Sequence, residues 1–206
     1  MSRLAGVVVA AATALVIVAV AIVPFLSAAW LGFAQDRAEA TAWTGWPAAT
    51  VRAATDAIVG DLLFGRGDFD AVIDGEPVLS ERERAHMRRV RGLFQVFFLA
   101  AAIGAAVLVL GFRRARDPMK RALRASAIGV AGVLVAAGVV VALAFDAAFA
   151  AFHGIFFSAG SWTFDPRTDR LVQLLPERFW VETTIGVGAI GFLLALGVAR
   201  LAGRGS

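Results

Sequence analysis

Four blocks of apolar sequence, each close to the length of a bilayer crossing, leave this chain few folds to choose from. They run from Leu4 to Ala29, Gly92 to Phe112, Ala125 to Phe149 and Thr183 to Leu201. A helix needs about 20 residues to cross the hydrocarbon core. A backbone in lipid must also satisfy its own hydrogen bonds, which selects helices or closed barrels. The blocks therefore predict an all-α membrane protein with four transmembrane helices, organised as a single integral membrane domain over residues 1–206. The chain is 59% hydrophobic with mean hydropathy +0.76, more apolar than a soluble domain. The first block has no interruption from Leu4 to Val23, longer than the roughly 7–15 residues of a signal-peptide core. We read it as an uncleaved anchor that Pro24 ends or kinks.

Charge orients the four helices. The loop 113–124 carries six cations, Arg113, Arg114, Arg116, Lys120, Arg121 and Arg124, against Asp117 alone. The positive-inside rule places this loop in the cytoplasm, and Arg3, Arg200 and Arg204 put both termini on the same side. The segments 30–91 and 150–182 are then extracytoplasmic. A basic balance sorted by membrane side does not imply nucleic acid, and none is expected as a partner.

Each outer segment carries readable structure. Trp30, Trp43 and Trp46 suit an interfacial anchor. Val51, Ala54, Ile58 and Leu62 have helical spacing and predict an amphipathic helix over Ala48 to Leu63. Asp74-Gly75 is a turn signal. Ser80 followed by Glu83 is a capping-box pattern, which starts a helix that carries His86 about two turns along and runs into the second span. The other segment, from Ala150 to Glu182, is aromatic-rich and turns at Asp165-Pro166.

The chain has two histidines, His86 and His153, no cysteine and no tyrosine. Both histidines fall at the outer boundary, delivered by distant parts of the chain. Imidazole is the side chain that titrates near neutral pH, so a joint chemical role is the leading expectation. Asp146 stands seven residues before His153, near the same helical face. It either orients a histidine or pairs with Arg88 or Arg91. The arginines Arg82, Arg84, Arg88, Arg89 and Arg91 form a phosphate-contacting rim, or a clamp for a lipid headgroup. A metal could in principle recruit both histidines with Asp165, Asp169 or Glu177, but no metal-binding spacing such as HExxH is present. No thiol, serine elbow, P-loop or dinucleotide fingerprint occurs either, and no cofactor is expected.

The motifs resemble those of a known family. Phe152-His153-Gly154-Ile155-Phe156-Phe157, Ser161-Trp162-Thr163-Phe164-Asp165-Pro166, Asp169-Arg170-Leu171 and Pro176-Glu177-Arg178-Phe179-Trp180, with Glu83-Arg84-Ala85-His86-Met87 before the second span, are similar to the signatures of a bacterial four-helix membrane family that includes the lipoprotein intramolecular transacylases. Relatives tend to carry an acid three positions after the first histidine; here Arg89 stands there.

The resemblance implies an acyltransferase of the bacterial cytoplasmic membrane, acting at its extracytoplasmic face. Its partners would be membrane lipids and lipoproteins whose N-terminal cysteine bears diacylglycerol. One acyl chain would move from the glycerol to the cysteine's α-amino group. His153 would be the base and His86 its partner, or the two roles would be exchanged. Asp146, Glu83, Trp162, Asp165, Asp169 and Glu177 would support them. Arg88, Arg91, Phe156, Phe157 and Trp180 would contact substrate or lipid. The alternative is a family-fold scaffold that binds lipid or protein without catalysis.

Overall fold

The computed structural model describes residues 2–65 and 67–204. They form nine α-helices and one two-residue hairpin. The first is α1 (Arg3–Ile22), capped where the Ser2 hydroxyl accepts from the Ala5 amide. Pro24 lies in a short 3-10 turn, Val23–Leu26, which ends that helix as its missing N–H requires. Ser27 then caps α2 (Ala28–Arg37). Next come α3 (Ala40–Thr44) and α4 (Ala48–Phe64). The buried face of α4, Val51, Ala54, Thr55, Ile58, Asp61 and Leu62, follows the spacing read from sequence.

Strands β1 (Val72–Ile73) and β2 (Glu76–Pro77) pair antiparallel around Asp74-Gly75. Both turn residues have positive φ, 52° and 83°, as a tight hairpin turn of this kind demands. Helices α5 (Glu81–Arg114) and α6 (Arg116–Leu143) follow. Then come α7 (Phe145–Phe156), α8 (Arg170–Leu174) and α9 (Glu177–Gly203). Four helical stretches are long and apolar enough to cross a membrane: Arg3–Leu26, Glu81–Arg114, Arg116–Leu143 and Glu177–Gly203.

One boundary differs from the sequence reading. The third apolar block predicts a helix to Phe149. Instead the helix stops at Leu143, Ala144 leaves helical geometry (φ −152°, ψ 56°), and Phe145 begins α7. Asp146, in the first turn of α7, is the one charge beside this point, and the apolar run resumes after it, so composition marks the break only faintly.

The fold separates into two compact units interleaved along the chain. One comprises residues 1–23, 96–143 and 185–206. Here α1 packs on α6, with Ile17, Ala131 and Ala195 at the core. Gly104 permits close approach of backbones, since a Cβ there would lie 3.2 Å from the Ala12 Cα. Many of the unit's apolar side chains, including Val96, Val133, Val139 and Leu193, face outward. That pattern suits lipid as the solvent.

The other unit comprises residues 24–95 and 144–184. Its main core joins Val51, Ala54, Ile58 and Leu62 of α4 to Phe69, Val78, Leu79, Met87, Leu171 and Leu174. A smaller one joins Leu31, Ala34, Ala38 and Phe179. Buried Gln35 donates to Thr55 Oγ1 and to the Leu174 carbonyl, tying α2 to α4 and α8. Both histidines belong to this unit.

Candidate functional site

The site begins with a helix start. Ser80 and Glu83 form the anticipated reciprocal cap: Ser80 Oγ accepts from the Glu83 amide, and Glu83 Oε2 accepts from the Ser80 amide and hydroxyl at 2.7 Å each. Glu83 does more than cap. Its side chain is fully buried, and Oε1 accepts from the Leu171 amide at 2.6 Å, which pins the start of α8 to the start of α5. One turn further along α5 stands His86, 6% exposed.

A second clamp shapes the wall beside it. Arg82 donates to the Thr163 carbonyl at 3.0 Å and to Asp169 Oδ2 at 2.7 Å. The same carboxylate oxygen accepts from the Asp165 amide. The Arg82 guanidinium covers the Phe164 ring, 4.8 Å from its centroid, and that ring meets His86 edge-on at 5.5 Å. Asp169 therefore positions the loop that packs against a histidine. The Asp165 carboxylate is turned away, holding Arg167.

His153 arrives on α7. Its Nδ1 lies 2.8 Å from the Phe149 carbonyl. A neutral ring that donates there keeps Nε2 as its free acceptor. The two imidazoles face each other with centroids 6.2 Å apart and planes inclined by 22°. Phe157 packs on both, at 4.9 Å from His86 and 5.5 Å from His153. Phe149, Phe152 and Trp162 complete the cage around His153. Burial lowers the His153 pKa below the usual histidine value, and the Phe149 carbonyl opposes this only in part. The Nδ1 of His86 and the Nε1 of Trp162 are buried and make no hydrogen bond among the described residues.

The remaining expected residues divide. Phe156 and Trp180 are exposed, as a lipid-facing role needs, and Trp180 lies 6.5 Å from Phe149. Phe157 is buried against both histidines and does not face outward. Arg88 is engaged by Glu81 and Asp68 at 2.5 and 2.8 Å. Arg91 binds the Gly67 carbonyl and lies over the Phe69 ring. Asp146 sits exposed in the first turn of α7, and His153, Arg88 and Arg91 all find other partners among the described residues. Glu177 is likewise exposed at the start of α9. Arg89, one turn after His86, is exposed without an ion pair among the described residues. No group of three or more metal-ligating side chains forms among the described residues.

Sequence reasoning named Arg82 only within the arginine rim and Phe164 only within a motif, and gave neither a place beside His86. Phe149 had a faint signal, because its i, i+4 spacing to His153 is that of helical neighbours.

The chain is similar to known proteins. Residues 7–180 match the model of a family described as the lipoprotein intramolecular transacylase Lit. The solved structure of the membrane integral lipoprotein intramolecular transacylase Lit from Bacillus cereus is similar, with TM-score 0.79 at 22% identity, covering 97% of this chain and 94% of that one. A variant of that protein with one histidine replaced by arginine gives 0.76 at 21% identity, covering 97% and 91%. An uncharacterized protein of Aquifex aeolicus is 26% identical over 123 residues, 60% of this chain. The matched region spans 56% of that relative's length.

Proposed function

The chain belongs to the lipoprotein intramolecular transacylase family, and we propose that it transfers an acyl chain within a diacylglyceryl-modified lipoprotein, from the glycerol to the α-amino group of the N-terminal cysteine. The observation that carries this reading is the facing pair His86 and His153, brought together from positions 67 residues apart in an aromatic cage. Neither ring is hydrogen-bonded to a carboxylate among the described residues. Two imidazoles so placed can exchange protons with one reacting centre.

The step is an aminolysis. The amine nitrogen attacks the ester carbonyl carbon, an N–C bond forms and the C–O bond to glycerol breaks. An α-amino group has a pKa of about 7.7–8.0, so a neutral imidazole can take its proton in the transition state. His153, whose burial keeps it neutral, serves as base through Nε2. The proton taken from the amine passes to the departing glycerol oxygen, either from His153 itself while a ring N–H of His86 holds the oxyanion, or relayed through His86, so both rings end neutral; the reverse assignment satisfies the same balance. Donor and acceptor belong to one molecule, so the enzyme's main task is to hold them in a near-attack pose. The products are an N-acyl amide and a lyso-glyceryl thioether.

In this reading the 206 residues act as one bacterial membrane domain, with 113–124 cytoplasmic and the histidines at the outer leaflet. Glu83, Asp169 and Trp162 position the site. Phe156 and Trp180 meet acyl chains. Arg88 and Arg91 reach the substrate only by exchanging their present partners, which makes Arg89 the readier headgroup contact. That arginine, where relatives tend to carry an acid, also favours a second reading: a lipid-binding scaffold without catalysis.

The deciding experiment is mass spectrometry of one lipoprotein's N-terminal lipopeptide, from cells lacking other N-acyltransferases. An N-acyl, S-monoacylglyceryl cysteine appears with the unmodified protein. With His153→Ala or His86→Ala it falls by about 10²-fold or more. An unchanged diacylglyceryl cysteine despite verified expression would favour the scaffold.

A further inference from the structure

Far along the sequence from either histidine, the end of α9 and the third turn of α6 line a cleft of about 390 Å³. Its walls are Arg124 from α6, then Leu196, Ala199, Arg200 and Gly203 of α9 with Arg204 just beyond. Positions 196, 199, 200, 203 and 204 lie on one helical face. Arg124 rests against Gly203: a Cβ on that glycine would lie 3.4 Å from the Arg124 Nε and 3.6 Å from its Cζ. A methyl there would only touch the guanidinium, whereas a larger side chain would crowd it, and this packing brings three cations to one rim.

Nothing in the surrounding unit can neutralise them pairwise. Its residues include nine cations and a single carboxylate, Asp117. None of Arg124, Arg200 and Arg204 has an ion pair among the described residues, whereas eight arginines of the other unit do. Arg200 and Arg204 are also one helical turn apart, a like-charge spacing that an anion would relieve. Guanidinium forks match phosphate oxygens. The apolar wall of Leu196 and Ala199 extends the cleft into helix surface that suits acyl chain.

We propose that this cleft holds the phosphodiester headgroup of an anionic phospholipid, with Arg124, Arg200 and Arg204 on the phosphate and the lipid's glycerol and first methylenes against Leu196 and Ala199. By the positive-inside orientation the site faces the cytoplasmic leaflet. It is independent of the acyl-transfer reading: the ligand is bound and not consumed.

The test uses the full chain in neutral detergent and native mass spectrometry, with dioleoylphosphatidylglycerol, dioleoylphosphatidylcholine or inorganic phosphate added. The phosphatidylglycerol adduct is expected to exceed the phosphatidylcholine adduct about tenfold. Arg124→Gln with Arg200→Gln should lower it by a similar factor. Gly203→Leu should also lower it, by displacing Arg124 with every charge retained. A control, Arg113→Gln with Arg114→Gln, removes the same charge outside the cleft and should leave the adduct unchanged. The proposal is overturned if the control loses the adduct equally, if Gly203→Leu retains it, or if inorganic phosphate competes it away.

Discussion

His153 carries the most direct residue-scale consequence. Burial lowers its pKa, so the ring is neutral at neutral pH and gains its proton only in more acidic solution. If it is the base, kcat/KM for lipopeptide acyl transfer, expressed per free-amine substrate so that the α-amino pKa of about 7.7–8.0 drops out, has an acid limb with its midpoint below the ordinary histidine value of about 6.5. A midpoint at or above that value would mean another group governs the limb. At this scale the sequence was informative about scarcity and poor on engagement. Two histidines in 206 residues stood out without help. That Asp68 holds Arg88 and the Gly67 carbonyl holds Arg91 depends on chain folded back from 20 or more positions away. No local pattern encodes such a return. The place of Asp146 was obscure for a related reason. Helical spacing put it near the face of His153, but Nδ1 of that histidine already meets the Phe149 carbonyl one turn away.

Among elements, the junction of α5 and α8 matters most. The capping box was legible because its two residues are three apart. The third contact, Glu83 to the Leu171 amide, spans 88 positions and was not. Glu83→Gln tests it. The amide would present N–H groups where the carboxylate now accepts three hydrogen bonds, leaving buried donors opposed. We expect a loss of about 2 kcal/mol, since hydrogen bonds to charged groups contribute roughly 1.5–3 kcal/mol. Thermal denaturation in detergent should fall by roughly 4–8 °C for a chain of this size. An unchanged midpoint would remove Glu83 from the framework of the site. Helix type and the α4 face were readable from periodicity. The α6–α7 break was not, because a single charge, Asp146, inside an apolar run reads equally as a polar residue within one helix or as the start of a second.

For the whole molecule, hydropathy and charge said the most. The four apolar blocks correspond to four helices of spanning length in a multi-pass membrane protein of the transacylase family. The interleaving of two compact units was invisible, since each draws on non-adjacent stretches. The proposed orientation has a clean check because the chain has no cysteine. A single cysteine at Glu76, in the hairpin, should react with a membrane-impermeant maleimide on intact cells. One at Lys120 should react only after permeabilisation. The opposite pattern would invert the orientation and place the histidines on the wrong side for lipoprotein maturation.

The central claim is that the histidine pair moves an acyl chain within one substrate molecule. The most direct measurement mixes two synthetic diacylglyceryl lipopeptides, one with deuterated acyl chains and a heavier peptide and one unlabelled, with the purified protein in liposomes. The account predicts N-acylated lyso products in which heavy peptide carries only heavy chains and light peptide only light, and no product with His153→Ala. Mixed products, or the same yield from the His153→Ala protein, would contradict it.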